Sequence, residues 1–405
     1  MSAAAQPRLR SVPAARGGVL RRITMRVLER ALRDLDGGLL EVELPDGSVR
    51  SFGSGRPVRM TIVSDNLFQR LALRGKLGLG ESYQAGEWYA DDLAGLMELL
   101  FRNADAAVVR RPRLAKVMSA RPRPGGRQGL LSARRNIRYH YDLGNELFQL
   151  MLDETMTYSC AVFERPDEPL AEAQRRKLRR VCDKLALGPS DHLLEIGCGW
   201  GSFALMAAGE YGARVTGLTI SAAQASLARD RVRLAGLEHL IEIVEQDYRL
   251  HQGKYTKIAS IEMIEAIGLR QFPVFFAACD RLLAPGGSAC IQSILIPDHR
   301  FDRYRRTPDW IERYVFPGCL IPSLAELTRS MASASRLTVQ GVEEIGLDYA
   351  ETLRRWRSSF HEQLEQVHAL GYGEHFERTW DFYLACCEGG FRSRALRDAQ
   401  IVFSR

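Results

Sequence analysis

The chain has 405 residues, a formal net charge of +7, 46% hydrophobic and 26% charged residues. This is an ordinary globular composition and too long for one small core, so two domains are expected. No uninterrupted apolar run reaches the roughly 18 residues of a membrane span, and the Ala- and Arg-rich N-terminus lacks the apolar core of a secretory signal.

Residues 1–30 read as a basic tail, disordered up to about Val19. Residues 31–105 read as a small α+β domain. Leu40-Glu41-Val42-Glu43-Leu44 alternates, Pro45-Asp46-Gly47-Ser48 turns, and Val49 to Phe52 returns, which predicts a hairpin. Ser64 is placed to cap a helix running through Arg74, and Leu93, Leu96, Met97 and Leu100 share one face of a second helix. Residues 106–138 form a basic linker. No acidic residue falls between Ala106 and Tyr141, while Arg110, Arg111, Arg113, Lys116, Arg121, Arg123, Arg127, Arg134, Arg135 and Arg138 do. A solvated connector and a polybasic face for phospholipid headgroups or nucleic-acid phosphates both suit that composition.

Residues 139–405 read as an α/β catalytic domain. Strands are predicted at His192–Ile196, Arg214–Leu218, Ile241–Val244, Ile258–Glu262 and Ser288–Ile294, with helices near 202–210, 222–235 and 272–283 and a tight turn at Pro285-Gly286-Gly287. This is the alternation of a doubly wound parallel sheet, whose ligands bind at the carboxyl ends of the strands. The eight cysteines are scattered, with no C-x-x-C pair and no His/Cys cluster at metal spacing, so reduced cytosolic thiols and no metal are expected.

The first strand runs Leu193-Leu194-Glu195-Ile196 into Gly197-Cys198-Gly199-Trp200-Gly201. Such a glycine turn lets backbone N–H groups and a helix N-terminus approach a polar ligand. Its spacing is not the G-x-G-x-x-G of dinucleotide sites. It resembles the first motif of class I S-adenosylmethionine (SAM) methyltransferases, which implies a Rossmann-like fold, with Glu195, Gly197, Gly199 and Gly201 at the cofactor's methionine end. The second strand ends at Thr219, followed by Ser221 and Gln224, which can hydrogen-bond ribose or cap the next helix. The third ends in Asp247-Tyr248, able to accept from an adenine amine and stack on a ring. The fourth ends in Glu262-Met263-Ile264-Glu265, where an acidic residue is costly unless paired, which favours a functional role.

Upstream lie Tyr139-His140-Tyr141-Asp142-Leu143-Gly144-Asn145-Glu146-Leu147-Phe148 and Leu152-Asp153-Glu154-Thr155-Met156-Thr157-Tyr158-Ser159-Cys160. These segments resemble the signature of cyclopropane fatty acid synthases and related SAM-dependent fatty-acyl-phospholipid methyltransferases. Gly78-Leu79-Gly80-Glu81-Ser82-Tyr83 resembles the family's N-terminal lipid-associated domain. Trp310-Ile311, Tyr314-Val315-Phe316-Pro317-Gly318 and Asp348-Tyr349 resemble its substrate-side insert, here around 296–385. Trp310, Tyr314 and Phe316 suit a core as well as an acyl channel.

The resemblance implies SAM as cofactor, with Tyr158 and Ser159 at its carboxylate. It also implies a bicarbonate ion acting as base, held by Cys160, Glu265, Ile294 and Tyr349, with Gln292 where the family has histidine and Ala266 where the family's F-E-H ends. Packing is the alternative role for Cys160, which the Thr157-Tyr158-Ser159-Cys160 context disfavours; a nucleophilic role would need an activating cation or base, and no motif for one is visible. In such chemistry the sulfonium alkylates an alkene and a carbocation develops. Loss of a proton from the new methyl closes a cyclopropane. A prior hydride shift, with proton loss from a carbon beside the relocated charge, gives an exocyclic methylene. Gln292 resembles the branch that makes 10-methylene precursors of tuberculostearic-type chains, and that product is placed ahead of the ring.

The expected partners are unsaturated phospholipid acyl chains and an anionic membrane surface, with the enzyme cytoplasmic and peripheral at the inner membrane face. No nucleic acid is expected, since no aromatic-interleaved basic strand is visible. A separate reductase and a homodimer stay open. The alternatives are an RNA or small-molecule SAM methyltransferase with a basic arm, and a non-catalytic lipid-binding scaffold.

Overall fold

In the computed structural model the described residues are 17–104, 143–307 and 309–405, which leaves the basic linker 106–138 and Tyr139 to Asp142 outside the description. The chain forms two compact units. One comprises Met1–Gly125, Arg303–Val315 and His361–Ala395, the other Gly126–Asp302, Phe316–Phe360 and Leu396–Arg405. The catalytic domain read as contiguous from 139 to 405 is therefore interrupted twice by segments that fold with the N-terminal unit. Residues 1–16 of the basic tail lie outside the described residues; the rest of it is helical over Gly17–Leu32, which was not expected.

The first unit holds a four-stranded sheet in the order β2-β1-β3-β4. The hairpin forms as read, from β1 (Leu39–Glu43) and antiparallel β2 (Val49–Gly53). β3 (Pro57–Ile62) runs parallel to β1, and β4 (Trp88–Ala90) antiparallel to β3. Alternation along β1 buries Leu40 and Val42. The helix Asn66–Arg74 starts at Asp65 without a side-chain cap, although Ser64 Oγ accepts from the Asn66 N–H. In the helix Leu93–Arg102, Leu93, Leu96 and Met97 are buried as predicted, together with Leu99. It packs closely on the helix Glu374–Arg392, since a Cβ on Gly389 would lie 2.6 Å from Met97 Cβ. Trp88 is fully buried, donating Nε1 to Ser82 Oγ at 2.9 Å. Trp310 stacks edge-on against Phe382 at 4.7 Å, and Tyr314 donates to Glu81 Oε1 at 2.6 Å, so both belong to this unit's core rather than to the sheet that carries the glycine turn.

The second unit is built on a seven-stranded sheet, order β10-β11-β9-β8-β5-β6-β7. β5 (His192–Ile196), β6 (Arg214–Thr219), β7 (Ile241–Glu245), β8 (Tyr255–Ile261) and β9 (Leu283–Leu295) are mutually parallel. β5 and β6 are buried along nearly their whole lengths, which suits strands covered on both faces, as in a Rossmann-like α/β fold. The chain leaves β5 to one side through β6 and β7, then returns to the other through β8 and β9. The switch point lies between β5 and β8, where ligands bind in such sheets.

Two elements depart from the expected pattern. β9 begins before Pro285-Gly286-Gly287 instead of after it; a pairing irregularity opposite Tyr255 to Lys257 and a φ of +74° at Gly286 absorb the turn within the strand. The sheet also continues into antiparallel β11 (Arg397–Ser404) and β10 (Thr338–Glu344), neither of which was predicted.

Candidate active site

The site grows from the ends of β5, β6, β8 and β9. The glycine turn requires its glycines: Gly197 has φ +86°, and a Cβ there would sit 2.8 Å from Met263 Cγ. Its absence lets the turn after β8 close against the turn after β5. Gly199 and Gly201 also have positive φ, and Gly201 caps the helix Ser202–Tyr211. The upstream signature is tied to this loop, because Trp200 Nε1 donates to Asn145 Oδ1 at 2.8 Å and Ser202 Oγ donates to the Thr155 carbonyl.

Glu195 is 3% exposed, and its Oε2 is buried without a partner among the described residues. Burial pushes its carboxyl up to about 8, against the opposing pull of Lys177 and the Ala204 N–H. A cationic ligand group is what such an orphaned carboxylate lacks. Thr219 Oγ1 donates to Gln224 Oε1 at 2.9 Å, and Ser221 Oγ accepts the Gln224 N–H as helix cap. Asp247 is engaged by Arg249, whose Nε and terminal nitrogen approach it at 2.9 and 2.6 Å. The Tyr248 ring packs edge-on against Phe275, with its hydroxyl buried and without a partner among the described residues. The glycine turn, orphaned Glu195 Oε2 and Tyr248 hydroxyl fit SAM, whose ammonium Glu195 would meet.

Ser159 Oγ accepts from Lys177 Nζ at 2.6 Å. Lys177 is fully buried in the helix Leu170–Lys184, and burial lowers its ammonium against the pull of Glu262, Cys160 and Asp398. This cation between the Glu195 pocket and the acidic cluster was missed from the sequence. Its signal was legible: Ala173, Lys177 and Val181 form one buried stripe at helical spacing, where a lysine is costly. A row of rings, Trp200, Phe148, Tyr158, Trp356 and Tyr349, spans the site at centroid spacings of 5.0, 5.1, 5.1 and 6.0 Å.

The predicted catalytic residues meet at the ends of β8 and β9, but their centre is Glu262. Its Oε1 accepts the Cys160 N–H at 2.8 Å and the Gln292 side-chain amide at 2.8 Å, and its Oε2 accepts the Tyr349 hydroxyl at 2.5 Å. Asp398, fully buried on β11, is raised well above the usual carboxylate range by burial first and then by the charge of Glu262. A hydrogen bond to Glu262 pushes it in the same direction. Gln292 also donates to Asp398 at 3.0 Å and accepts from Gln400 at 3.1 Å. Glu265 lies beside this group, its Oε1 accepting from Ser293 Oγ at 2.7 Å and the Ile294 N–H at 2.6 Å. Burial, then the neighbouring Glu262, pushes Glu265 up to about 8. The Cys160 thiol is fully buried, points to the carbonyls of Ala161 and Ile345, and is driven well up by burial, so it is no nucleophile.

The bicarbonate implied by the resemblance does not fit this arrangement. Cys160 N–H, Gln292 and Tyr349 already donate to Glu262, and Ile294 N–H to Glu265. What remains is Glu265 Oε2 and Asp398 Oδ1, both buried without a partner among the described residues. Another anion there would meet the like charge of Glu262 and find the donors expected to hold it already engaged.

The profile of the family described as mycolic acid cyclopropane synthetase matches residues 129–401. The chain belongs to this family. Among its relatives, the tuberculostearic acid methyltransferase UfaA1 of Mycobacterium tuberculosis is 42% identical over 337 residues, 81% of this chain and 79% of the relative. The cyclopropane-fatty-acyl-phospholipid synthase of Escherichia coli K12 is 34% identical over 359 residues, 86% of this chain and 88% of the relative. The structure of the cyclopropane synthase MmaA2 from Mycobacterium tuberculosis matches with a TM-score of 0.63 at 28% identity, covering 67% of this chain and 98% of that one. The mycolic acid cyclopropane synthase CmaA1, complexed with SAH and CTAB, gives the same TM-score at 31% identity, again over 67% of this chain and 98% of that one. The chain is accordingly a SAM-dependent methyltransferase, as members of this family are.

Proposed function

We propose that the enzyme adds one carbon from SAM to the cis double bond of an unsaturated phospholipid acyl chain and releases a methylene branch. Bound SAM supplies an electrophilic methyl group. Glu195, the glycine turn, Tyr158, Ser159, Thr219, Ser221, Gln224, Asp247 and Tyr248 bind and orient it, and Lys177 supports the carboxylate end through Ser159. An alkene is a weak nucleophile, so the positive charge that develops on the chain must be stabilised. The ring row from Trp200 to Tyr349 and the Glu262 carboxylate offer π faces and negative charge for this.

The observation that carries the reading is the convergence of Cys160, Gln292 and Tyr349 on one acidic side chain at the sheet's switch point, beside the cofactor-type glycine turn. Gln292 favours the methylene product: its amide is fixed by Glu262, Asp398 and Gln400 and cannot titrate near neutrality as a histidine would. The 42% identity to a tuberculostearic acid methyltransferase points the same way. The basic stretch 106–138 holds the enzyme to anionic lipid at the inner membrane face. No helix among the described residues is long and apolar enough to cross a membrane. Expression in a host rich in oleate tests the reading. Mass spectrometry should find acyl chains one carbon longer, with fragmentation locating an exocyclic methylene; unchanged oleate would reject it.

A further inference from the structure

We infer that Glu262 is itself the base that removes the proton from the alkylated chain, in place of any external anion. The inference rests on the proposed alkene chemistry and identifies its proton acceptor. Three donors from distant parts of the chain, the Cys160 N–H, the Gln292 amide and the Tyr349 hydroxyl, fix both oxygens of this one carboxylate. The two neighbouring carboxyls are poorer acceptors at neutral pH. Glu265 is buried with its carboxyl pushed up to about 8, and Asp398, fully buried, is raised well above the usual carboxylate range. Glu262 alone of the three is only half-buried.

Its backbone points to function as well. Glu262 has φ +49°, in the left-handed region that a residue with a Cβ enters at a cost. Glycine would adopt that conformation without strain, yet the chain carries a glutamate there. The turn this creates sits directly beneath the glycine loop, with Met263 filling the space that a Cβ on Gly197 would take.

The step balances without a co-reactant. After methyl addition and a hydride shift, the positive charge rests on the carbon that bears the new methyl. A methyl C–H bond breaks, its electron pair becomes the exocyclic C=C bond, and the proton passes to a Glu262 oxygen, from which solvent removes it. A proton beside a carbocation is so acidic that these hydrogen bonds to the carboxylate do not disable it as acceptor. Position rather than basicity sets the rate.

The test compares wild type, Glu262→Gln and Glu262→Gly on oleoyl-phospholipid vesicles with SAM, in carbonate-depleted buffer and in the same buffer with added bicarbonate or formate. Calorimetric SAM binding is measured in parallel. Glycine relieves the positive φ, so Glu262→Gly separates lost chemistry from lost folding. Wild type should work equally with and without bicarbonate. Both variants should lose roughly 10²-fold or more of product formation with SAM affinity retained, and formate or bicarbonate should restore part of the activity of Glu262→Gly. A wild type that stops when carbonate is removed, or a Glu262→Gly enzyme at the wild-type rate in depleted buffer, overturns the inference. A wild type that alkylates no acyl chain in any buffer overturns the functional reading and this inference with it, a result distinct from carbonate dependence.

Discussion

Tyr349 donates its hydroxyl to Glu262 Oε2 at 2.5 Å, joining the helix Gly346–Glu362 to the turn that follows β8. The contact fixes the orientation of the carboxylate and leaves the tyrosine as its proton-bearing neighbour. Tyr349→Phe should keep the ring packing on Trp356 and lose only the donor. A drop of about 10- to 100-fold in kcat with little change in KM is expected, in line with one charge-assisted hydrogen bond. Equal losses in SAM binding would place Tyr349 in the cofactor pocket instead.

Gln292→His should move the product ratio toward the ring. The imidazole cannot reproduce the amide's contacts with Glu262, Asp398 and Gln400 together, so the base should shift relative to the cation. Fragmentation of the product acyl chains reads the ratio, and an unchanged ratio would remove Gln292 as the determinant.

Glu195→Gln and Lys177→Met should both weaken SAM binding, measured by calorimetry. Glu195→Gln removes the acid that can ionise against the ammonium. Lys177→Met keeps the buried volume and removes the cation that holds Ser159. A loss of at least about 10-fold is expected for each, the scale of a charge-assisted contact. SAM affinity untouched by both substitutions would remove them from the cofactor site.

Stability should fall as pH rises from 5 to 8. Glu195 and Glu265 both move from 4.5 to about 8 on folding, so over that window the folded chain holds protons that the unfolded chain has released. Their favourable contribution is complete below 4.5 and lost by about 8, on the order of a few kcal/mol per group. Urea denaturation at several pH values measures the slope, and Glu265→Gln should flatten it. A slope unchanged by the substitution would mean that Glu265 is already ionised at neutral pH. At pH 7 the same variant replaces a neutral acid with a neutral amide, so it should lower turnover while leaving SAM affinity nearly intact. A large loss of SAM binding would place Glu265 in the cofactor pocket.

Binding to anionic vesicles should weaken steeply between low and physiological salt, and further on replacing Arg134, Arg135 and Arg138 with glutamine, at about 1 kcal/mol per charge. Cosedimentation measures both effects; salt-independent binding would assign the stretch 106–138 to a plain connector.

The parallel sheet was legible because short strand-like segments alternate with helical ones between turn residues, a local pattern. The cofactor end was legible for the same reason, as Glu195 and three glycines stand together in nine residues. The acidic cluster was legible only in part. Glu262 was visible as a costly acid at a strand end, but its partners lie at Cys160, Gln292 and Tyr349, and no local pattern joins them. Asp398 escaped because it lies on β11, an antiparallel strand that the alternation of strand and helix does not announce. The division into units escaped because Arg303–Val315 and His361–Ala395 return to the first unit from far along the chain.

The most direct test of the account uses SAM bearing a trideuterated methyl group and dioleoyl-phospholipid vesicles, with the product acyl chains examined by fragmentation and proton NMR. The account predicts chains one carbon longer that carry the new carbon as an exocyclic CD2 group, with the third deuteron lost to solvent. An intact CD3 group on the chain, or label recovered on RNA or protein with the oleate unchanged, would contradict it.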